Sequence, residues 1–472
     1  MSDYDLVIVG MGSGGMPAAE FAVTLGLHVA VVERGRVGGD CLWTGCVPSK
    51  ALLASAKVAQ HLRTADRWGL PAVDGLTIDT ALVWRRIHEV RQRIASSDDD
   101  PARFEGLGIE VVHGDARLAD PNTVEVDGRR LTARFILVCT GSRPTEIPVP
   151  GLAEAGYVTS ETIFDRDSAP SSLVMIGGGP ICIELSQGLH RLGVPVTVLQ
   201  KRPGILPRDE PELAARLAGI LTGEGLDLQL NVDTQRVLVA DGGTKVVEAT
   251  QNGRPRRWEA SELFVAAGRS PNVEGLGLEA LGIEVKRSGI VTDDRMRTSQ
   301  KTVYAAGDVA GRALFTHAAA YEAVRAVRDM FFPGRGTAGN TIPWCTFTDP
   351  ELAHVGMTQA EARAEFGDEE VHVWKLDLAH SDRARADGTD DGAVWVVTGP
   401  RGKVVGGHIL AAGAGEMIHE LALAEKEGLR VSDLAGVVHV YPTLSTSIGQ
   451  LAAESAFEGA VRIRRLTRFL AP

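Results

Sequence analysis

The stretch Asp5-Leu6-Val7-Ile8-Val9-Gly10-Met11-Gly12-Ser13-Gly14-Gly15 decides the fold of this chain. Asp5 to Val9 carries a continuous apolar run and reads as a buried strand. Glycines then follow with the spacing G-x-G-x-x-G, at Gly10, Gly12 and Gly15. The pattern predicts a helix from about Pro17 to Leu25 and a second strand from His28 to Val32, ending at Glu33. Strand, glycine turn, helix, strand and acid in that order describe a dinucleotide-binding module. The glycines let the backbone come close to a pyrophosphate, and the helix N-terminus supplies N–H groups and positive potential. Glu33 is placed to accept hydrogen bonds from an adenosine ribose.

The pattern returns downstream. Leu173 to Ile176 reads as a strand, Gly177-Gly178-Gly179-Pro180-Ile181-Cys182 as the turn, and a helix runs to about Leu192. The next strand, Pro195 to Leu199, ends at Gln200. Two such modules imply two dinucleotides. Cys182 stands where a third small Gly or Ala is usual, and is still small enough for close helix–strand packing. Gln200 replaces the acid that would bind an NAD ribose, and Lys201 and Arg202 follow it. A carboxylate repels a 2′-phosphate and cations attract one, so the pattern favours NADPH, with NADH possible.

Each module has a closing strand and turn. Phe135 to Val138 leads into Cys139-Thr140-Gly141-Ser142-Arg143-Pro144, and Leu263 to Val265 into Ala266-Ala267-Gly268-Arg269-Ser270-Pro271-Asn272. In Val303-Tyr304-Ala305-Ala306-Gly307-Asp308, the acid after Gly307 sits at a strand end, where it can reach the ribityl hydroxyls of a flavin. From Thr341 the composition changes. Short strands at Val394 to Val397 and Val404 to Ile409 alternate with helices around Glu416 to Glu427 and Leu444 to Phe457, which reads as a separate α+β domain.

At 472 residues the chain is too long for one ordinary core. Its 44% hydrophobic content and 54 glycines suit an α/β protein with many tight turns. A formal charge of −12 argues against a nucleic-acid surface, and Arg462, Arg464, Arg465 and Arg468 read as a solvated helix face. No signal peptide and no run of about 18 apolar residues is visible, so a cytoplasmic setting is expected. There, five cysteines do not form a structural disulfide framework. Cys139, Cys182 and Cys345 read as small buried residues.

Cys41 and Cys46 are different. They lie in Gly39-Asp40-Cys41-Leu42-Trp43-Thr44-Gly45-Cys46-Val47-Pro48-Ser49-Lys50. Five residues of regular helix rise about 7.5 Å, beyond the ~4.4–6.8 Å between disulfide Cα atoms. Gly45 and Pro48 suit a distorted turn that closes this gap. A metal site needs about four ligands, and no His pair is nearby, so no metal is assigned. A close cysteine pair between two nucleotide modules suggests electrons moving from a nicotinamide, through a flavin, to a disulfide.

Together these residues resemble the flavoprotein disulfide reductases: dihydrolipoamide dehydrogenase, glutathione reductase and mercuric reductase. The resemblance spans essentially the whole chain, and Trp43 and Pro48 resemble the branch around mercuric reductase. Pro343-Trp344-Cys345-Thr346-Phe347-Thr348-Asp349-Pro350-Glu351 and Ala414-Gly415-Glu416-Met417-Ile418 resemble the group's dimerisation domain. The implied fold is α/β, with two Rossmann-like dinucleotide-binding domains for FAD and NAD(P) plus a C-terminal α+β dimerisation domain. The implied boundaries are 1–148 and 271–338 for FAD, 149–270 for NAD(P) and 339–472 for the interface. The resemblance implies FAD and nicotinamide contacts at Gly10, Gly12, Gly15, Glu33, Gly39, Thr140, Gly141, Gly307, Asp308 and Ala318, and at Gly177, Gly179, Gln200, Lys201, Arg202 and Gly268. It further implies that Cys46 is the thiol beside the flavin and Cys41 the interchange thiol. Lys50, one helical turn after Cys46, would pair with Glu184 near the flavin. Thr316-His317-Ala318 would open a helix aimed at the flavin, with His317 structural.

The C-terminal motif departs from the family, which carries His-x-His-Pro-Thr with a Glu five residues after the second His. Here the motif is His439-Val440-Tyr441-Pro442-Thr443, so Tyr441 replaces the acid–base His and Thr446 the Glu. A phenol with a pKa near 10 is a poor base at neutral pH, though it can donate a proton. His439, two residues away, should point elsewhere. The family dimer implies that Tyr441 faces Cys41 of the partner subunit. Mercuric reductases place a Tyr near here but add a C-terminal cysteine pair, which the ending Thr467-Arg468-Phe469-Leu470-Ala471-Pro472 lacks. A small disulfide is therefore the expected substrate. Quinones, metal ions or a second nicotinamide are the alternative acceptors.

Overall fold

The computed structural model describes residues 2–332, 334 and 341–467; the expected 338/339 boundary and the side chains of the basic stretch from Arg462 lie outside them. The opening strand is β1 (Tyr4–Val9), followed by α1 (Gly15–Thr24) and β2 (Val29–Glu33). α1 therefore begins two residues before the expected Pro17. Gly15 makes this possible, because a Cβ there would lie 1.9 Å from the Gly10 carbonyl oxygen. Gly10 has φ +101°, and a Cβ on it would meet the Cys139 carbonyl at 2.4 Å. The first turn thus needs glycine both for its backbone shape and for its packing.

Next come α2 (Gly39–Trp43), α3 (Cys46–Arg63), α4 (Thr80–Ala95) and α5 (Pro101–Gly106), then β3 (Ile109–His113), β4 (Ala116–Asp120), β5 (Thr123–Val126) and β6 (Arg129–Val138). The first sheet runs β3-β2-β1-β6-β5-β4. Its β3, β2, β1 and β6 pairs are parallel, whereas β4, β5 and the start of β6 form an antiparallel meander. Far along the chain, Val303–Ala305 returns to pair in parallel with the end of β6. The strand ends carrying Gly10, Glu33, Thr140 and Asp308 thereby collect along one edge, where α/β sheets bind ligands.

The second module repeats the logic. Its parallel sheet runs Asp227–Gln229, Val196–Leu199, Leu173–Ile176, Glu262–Val265, and Pro180–Arg191 is its glycine-turn helix. Cys182 is fully buried, so a small third residue does preserve the packing. The C-terminal domain is a five-stranded antiparallel sheet ordered Trp344–Thr346, Glu351–Gly356, Val404–Ala411, Ala393–Thr398, His372–Asp377, with helices Ala414–Glu427 and Thr446–Thr467. The expected helix and strand positions hold, with most ends shifted by one to a few residues, but the last helix runs on past the expected Phe457 to Thr467.

Two packing features position the site. α3 and α4 share one apolar core with the Pro180–Arg191 helix, through Leu52, Ala56, Trp84, Ile183 and Leu189. Gly188 lets α3 approach: a Cβ there would sit 2.5 Å from Leu52 Cδ2. At the end of that helix, buried Arg191 bridges Glu224 at 2.5 Å and Asp349 at 2.8 Å, tying the second module to the C-terminal domain. Burial opposes ionisation of Asp349, but Arg191 outweighs it and holds the carboxyl below its ordinary value. This contribution to stability is present above the ordinary carboxylate range and is lost as pH falls through the lowered folded value. Arg191→Met should strand these carboxylates and destabilise by roughly 3 kcal/mol. Its thermal midpoint should fall clearly further than that of Arg257→Met, which removes the exposed pair to Glu259.

Candidate active site

The cysteine pair is shaped by a break between two helices. α2 ends at Trp43, and the amides of Thr44 and Gly45 both donate to the Asp40 carbonyl, at 2.9 and 2.7 Å. Gly45 takes φ −115°, ψ −108°, and a Cβ there would lie 3.1 Å from that carbonyl. α3 restarts at Cys46, and the Cys41 and Cys46 thiols meet in a hydrogen bond. The expected distorted turn is present, but Pro48 takes no part in it. Pro48 sits in the first turn of α3, where a missing N–H leaves no helical bond unmade.

The two sulfurs have opposite electrostatics. The hydrogen bond from Cys41 pulls the Cys46 thiol below its ordinary pKa; burial opposes this, while the Thr316 hydroxyl and the Lys50 charge assist. Thr316 Oγ1 lies 3.3 Å from Cys46 Sγ. Thr316 opens the helix Thr316–Phe331, whose first-turn N–H groups have no side-chain cap and add positive potential. The Cys41 thiol is pushed upward by its hydrogen bond to Cys46, and by burial. Negative charge on the pair therefore resides on Cys46.

Lys50 Nζ lies 2.8 Å from Glu184 Oε2, the pair that the family resemblance implies. Glu184 Oε1 accepts the Phe347 N–H at 2.9 Å, and Lys50 Nζ stands 4.4 Å over the Phe347 ring. Burial disfavours the lysine charge, but Glu184 outweighs it and raises the Lys50 pKa.

A cavity of about 1390 Å³ runs past these groups. Of the expected contacts, Gly10, Gly12, Glu33, Gly39, Thr140, Gly141, Gly179, Gly268, Gly307 and Asp308 line it. Glu33 is held at the cavity wall by the Met11 and Gly35 amides, both at 2.7 Å. Gly15 and Gly177 act behind the wall: a Cβ on Gly177 would meet the Ala266 carbonyl at 2.4 Å. Ala318 is buried and, contrary to expectation, does not line the cavity, which its neighbours His317 and Ala319 do. These close backbone approaches, the wall carboxylate and the uncapped helix start fit the phosphates and ribose of dinucleotide cofactors, which the cavity lining would hold.

Other expectations shift. Gln200 is buried, donates to the Gly204 carbonyl at 3.0 Å and packs on Gly178, so it shapes the turn rather than facing the cavity. Lys201 is ion-paired to Asp233 at 2.7 Å. Arg202 is exposed, with no ion-pair partner among the described residues. His439 points into its own domain, 3.1 Å from Glu420, and fills space that only Gly449 leaves open. Tyr441 is exposed on the C-terminal domain and donates to Asp382 at 3.0 Å, which raises its pKa. It does not reach the cysteines of its own chain's cavity.

Sequence reading missed three groups. The Thr316 hydroxyl lay in a recognised segment, but nothing in its spacing pointed to Cys46. Arg269 bridges Asp40 at 3.0 Å and approaches Asp308 at 3.6 Å, a link across distant turns. Cys345, expected to be buried, is only half-buried and lines the cavity; Cys139 is buried but also lines it, and Cys182 is buried away from it.

Residues 4–323 match the family described as pyridine nucleotide-disulphide oxidoreductase, and residues 342–452 its dimerisation domain. The chain is 35% identical to a dihydrolipoyl dehydrogenase of Thermus scotoductus, covering 98% of this chain and 99% of that protein. It is 34% identical to a mercuric reductase of Bacillus cereus, covering 94% of this chain and 70% of that one. A Cu(II) complex of a mutant HOCl-induced flavoprotein disulfide reductase RclA from Escherichia coli superposes with a TM-score of 0.84 at 25% identity, covering 96% and 99% of the two chains.

The charge on Cys46 is testable. In the reduced protein, its alkylation rate should titrate at least about one unit below the ~8.5 of a free cysteine. Lys50→Met should move that midpoint up by about one unit. An unchanged midpoint would remove Lys50 from the thiolate's support.

Proposed function

Because this chain belongs to the pyridine nucleotide-disulphide oxidoreductases and is an NAD(P)H-dependent flavoprotein, we propose that it passes electrons from NADPH through FAD to Cys41–Cys46 and on to a small disulfide. One observation carries this reading. Both thiols line the large cavity, but Cys41 also opens into a second one of about 400 Å³, which Cys46 does not reach. A substrate entering there meets Cys41 while Cys46 faces the cofactor side.

The flavin, when bound, supplies two-electron transfer between the nicotinamide and the sulfur pair. Cys41 passes its proton to the neighbouring Cys46 thiolate as it attacks one sulfur of the substrate disulfide; a mixed disulfide forms and one sulfur leaves as a thiolate. Cys46 then attacks Cys41 Sγ, the Cys41–Cys46 disulfide forms, and the second thiol leaves. Lys50 and Thr316 hold the charge on Cys46, and Glu184 fixes Lys50 in place. We assign the leaving thiolate's proton to Tyr441 of the partner subunit. In the single chain that phenol donates to Asp382 at 3.0 Å, which raises its pKa, so Tyr441 exchanges this partner for the leaving sulfur when it gives up the proton.

NADPH is favoured by the absence of an acid at Gln200 and by exposed Arg202; Lys201 contributes less, since Asp233 partly neutralises it. The assignment of 1–148 and 271–338 to the FAD domain, 149–270 to the NAD(P) domain and 339–472 to the interface is supported by Val303–Ala305 joining β6. The dimerisation domain supports a homodimer. Among the described residues no helix is long and apolar enough to cross a membrane; with the cysteine usage, this supports a cytoplasmic setting.

A second reading is delivery of electrons from the flavin to a quinone, metal ion or second nicotinamide without disulfide turnover. It is favoured by Tyr441 and Thr446 at the family's His and Glu positions. Cys41→Ser separates the two. Under the disulfide reading, disulfide reduction falls at least about a thousandfold while quinone reduction persists, and NADPH outperforms NADH in both assays. Equal loss of neither or both activities would contradict it.

A further inference from the structure

The second cavity has a charge of its own. Its floor holds Cys41 and Thr316, and its rim carries Glu20, Asp98, Asp99 and Arg103. Glu20 and Arg103 neutralise each other in an ion pair at 2.5 Å. Asp98 and Asp99 have no ion-pair partner among the described residues; Arg103 also acts on Asp99, so three carboxylates against one guanidinium leave the rim with a net negative charge. They are held there by local structure. The Asp99 amide donates to the Ile94 carbonyl at 3.2 Å at the end of α4, and Asp100 caps α5 by accepting the Ala102 N–H. Asp99 also packs on Gly38, three residues before Cys41: a Cβ on Gly38 would lie 2.7 Å from Asp99 Oδ2. Burial and the Asp98 charge raise the Asp99 pKa, and Arg103 lowers it. Between the acids and the thiol the wall is apolar, with Phe104 and Leu42 fully buried behind it.

We propose that this acidic rim selects the substrate's charge: the entrance to Cys41 admits disulfides bearing amines near the reacting sulfurs and disfavours those bearing carboxylates. The proposal rests on the disulfide reading above and deepens it. Two fixed charges act on every molecule that approaches Cys41, and their effect reverses sign with the charge of the entering group. Oxidised thiols that carry carboxylates beside the disulfide are therefore poor substrates, and diamino disulfides are good ones.

The test reads Cys41 without requiring turnover. In the FAD-loaded Cys46→Ser protein, Cys41 is treated with methanethiosulfonate reagents carrying a trimethylammonium, a neutral methyl or a sulfonate group. The sulfur of Cys41 attacks the reagent's sulfenyl sulfur, a mixed disulfide forms and methanesulfinate leaves; mass spectrometry locates the label. Rates are normalised to those with 2-mercaptoethanol. At low salt the cationic reagent should be favoured over the anionic one by about tenfold, and the preference should shrink in 0.5 M salt. Asp98→Asn/Asp99→Asn should bring the ratio close to one. An equal or reversed ratio in the Cys46→Ser protein would overturn the proposal, as would a preference that survives the double substitution. A parallel turnover assay of the Cys41–Cys46 enzyme uses cystamine, bis(2-hydroxyethyl) disulfide and dithiodiglycolate. If the reagent preference holds but none of the three is reduced, the disulfide reading fails and the charge selection stands. If all three are reduced at equal efficiency, the disulfide reading stands and the charge selection fails.

Discussion

The buried carboxylate of Glu184 organises this molecule. Its side chain is only 6% exposed, and an anion so far from water must be paired and hydrogen-bonded to be tolerated. Its partners come from different parts of the chain. Lys50 is on α3, just after the cysteines, and the Phe347 amide is on the segment that opens the C-terminal domain. Glu184 itself lies on the glycine-turn helix of the second module. One charge thus gathers both nucleotide modules and the C-terminal domain around the same few ångströms. The shared core of α3, α4 and the Pro180–Arg191 helix holds that arrangement rigid.

From this anchor follows the asymmetry of the sulfurs. Lys50, fixed by Glu184, and Thr316, fixed by the start of its helix, both face Cys46. Thr316 and Ser13 also pull the Cys41 thiol down, but Cys46 and burial outweigh them. The helix break at Thr44–Gly45 then places Cys41 between the large cavity and the smaller acidic one. The proposed direction of electron flow rests on this asymmetry, with Cys46 favoured as its anion and Cys41 lining both cavities. The Arg191 bridge to Glu224 and Asp349 supports it from behind.

Much of this was legible in the sequence because glycine, cysteine and periodic apolar residues report local constraints. Gly10 and Gly15 could be read since their backbone has no alternative. The break between Cys41 and Cys46 followed from the rise of a helix alone, and Lys50–Glu184 from family spacing. What stayed hidden depends on contacts between distant segments. The Thr316–Cys46 hydrogen bond joins positions far apart in sequence, and Arg269 reaches across turns to Asp40. Lys201 read as a free cation because its neutralising Asp233 lies on another strand. Cys345 read as buried because composition carries no information on which side of a wall a residue falls. Asp98 and Asp99 carried no signal in the sequence, and only folding brings them to the cavity that Cys41 lines.

The most direct measurement is an anaerobic titration of the FAD-loaded protein with NADPH, following the flavin spectrum in the wild type and in Cys46→Ser. A thiolate beside the flavin gives a long-wavelength charge-transfer band in the wild type that is absent from Cys46→Ser. Flavin bleaching without that band in the wild type, or the same band in both proteins, would contradict the placement of Cys46 on the electron path.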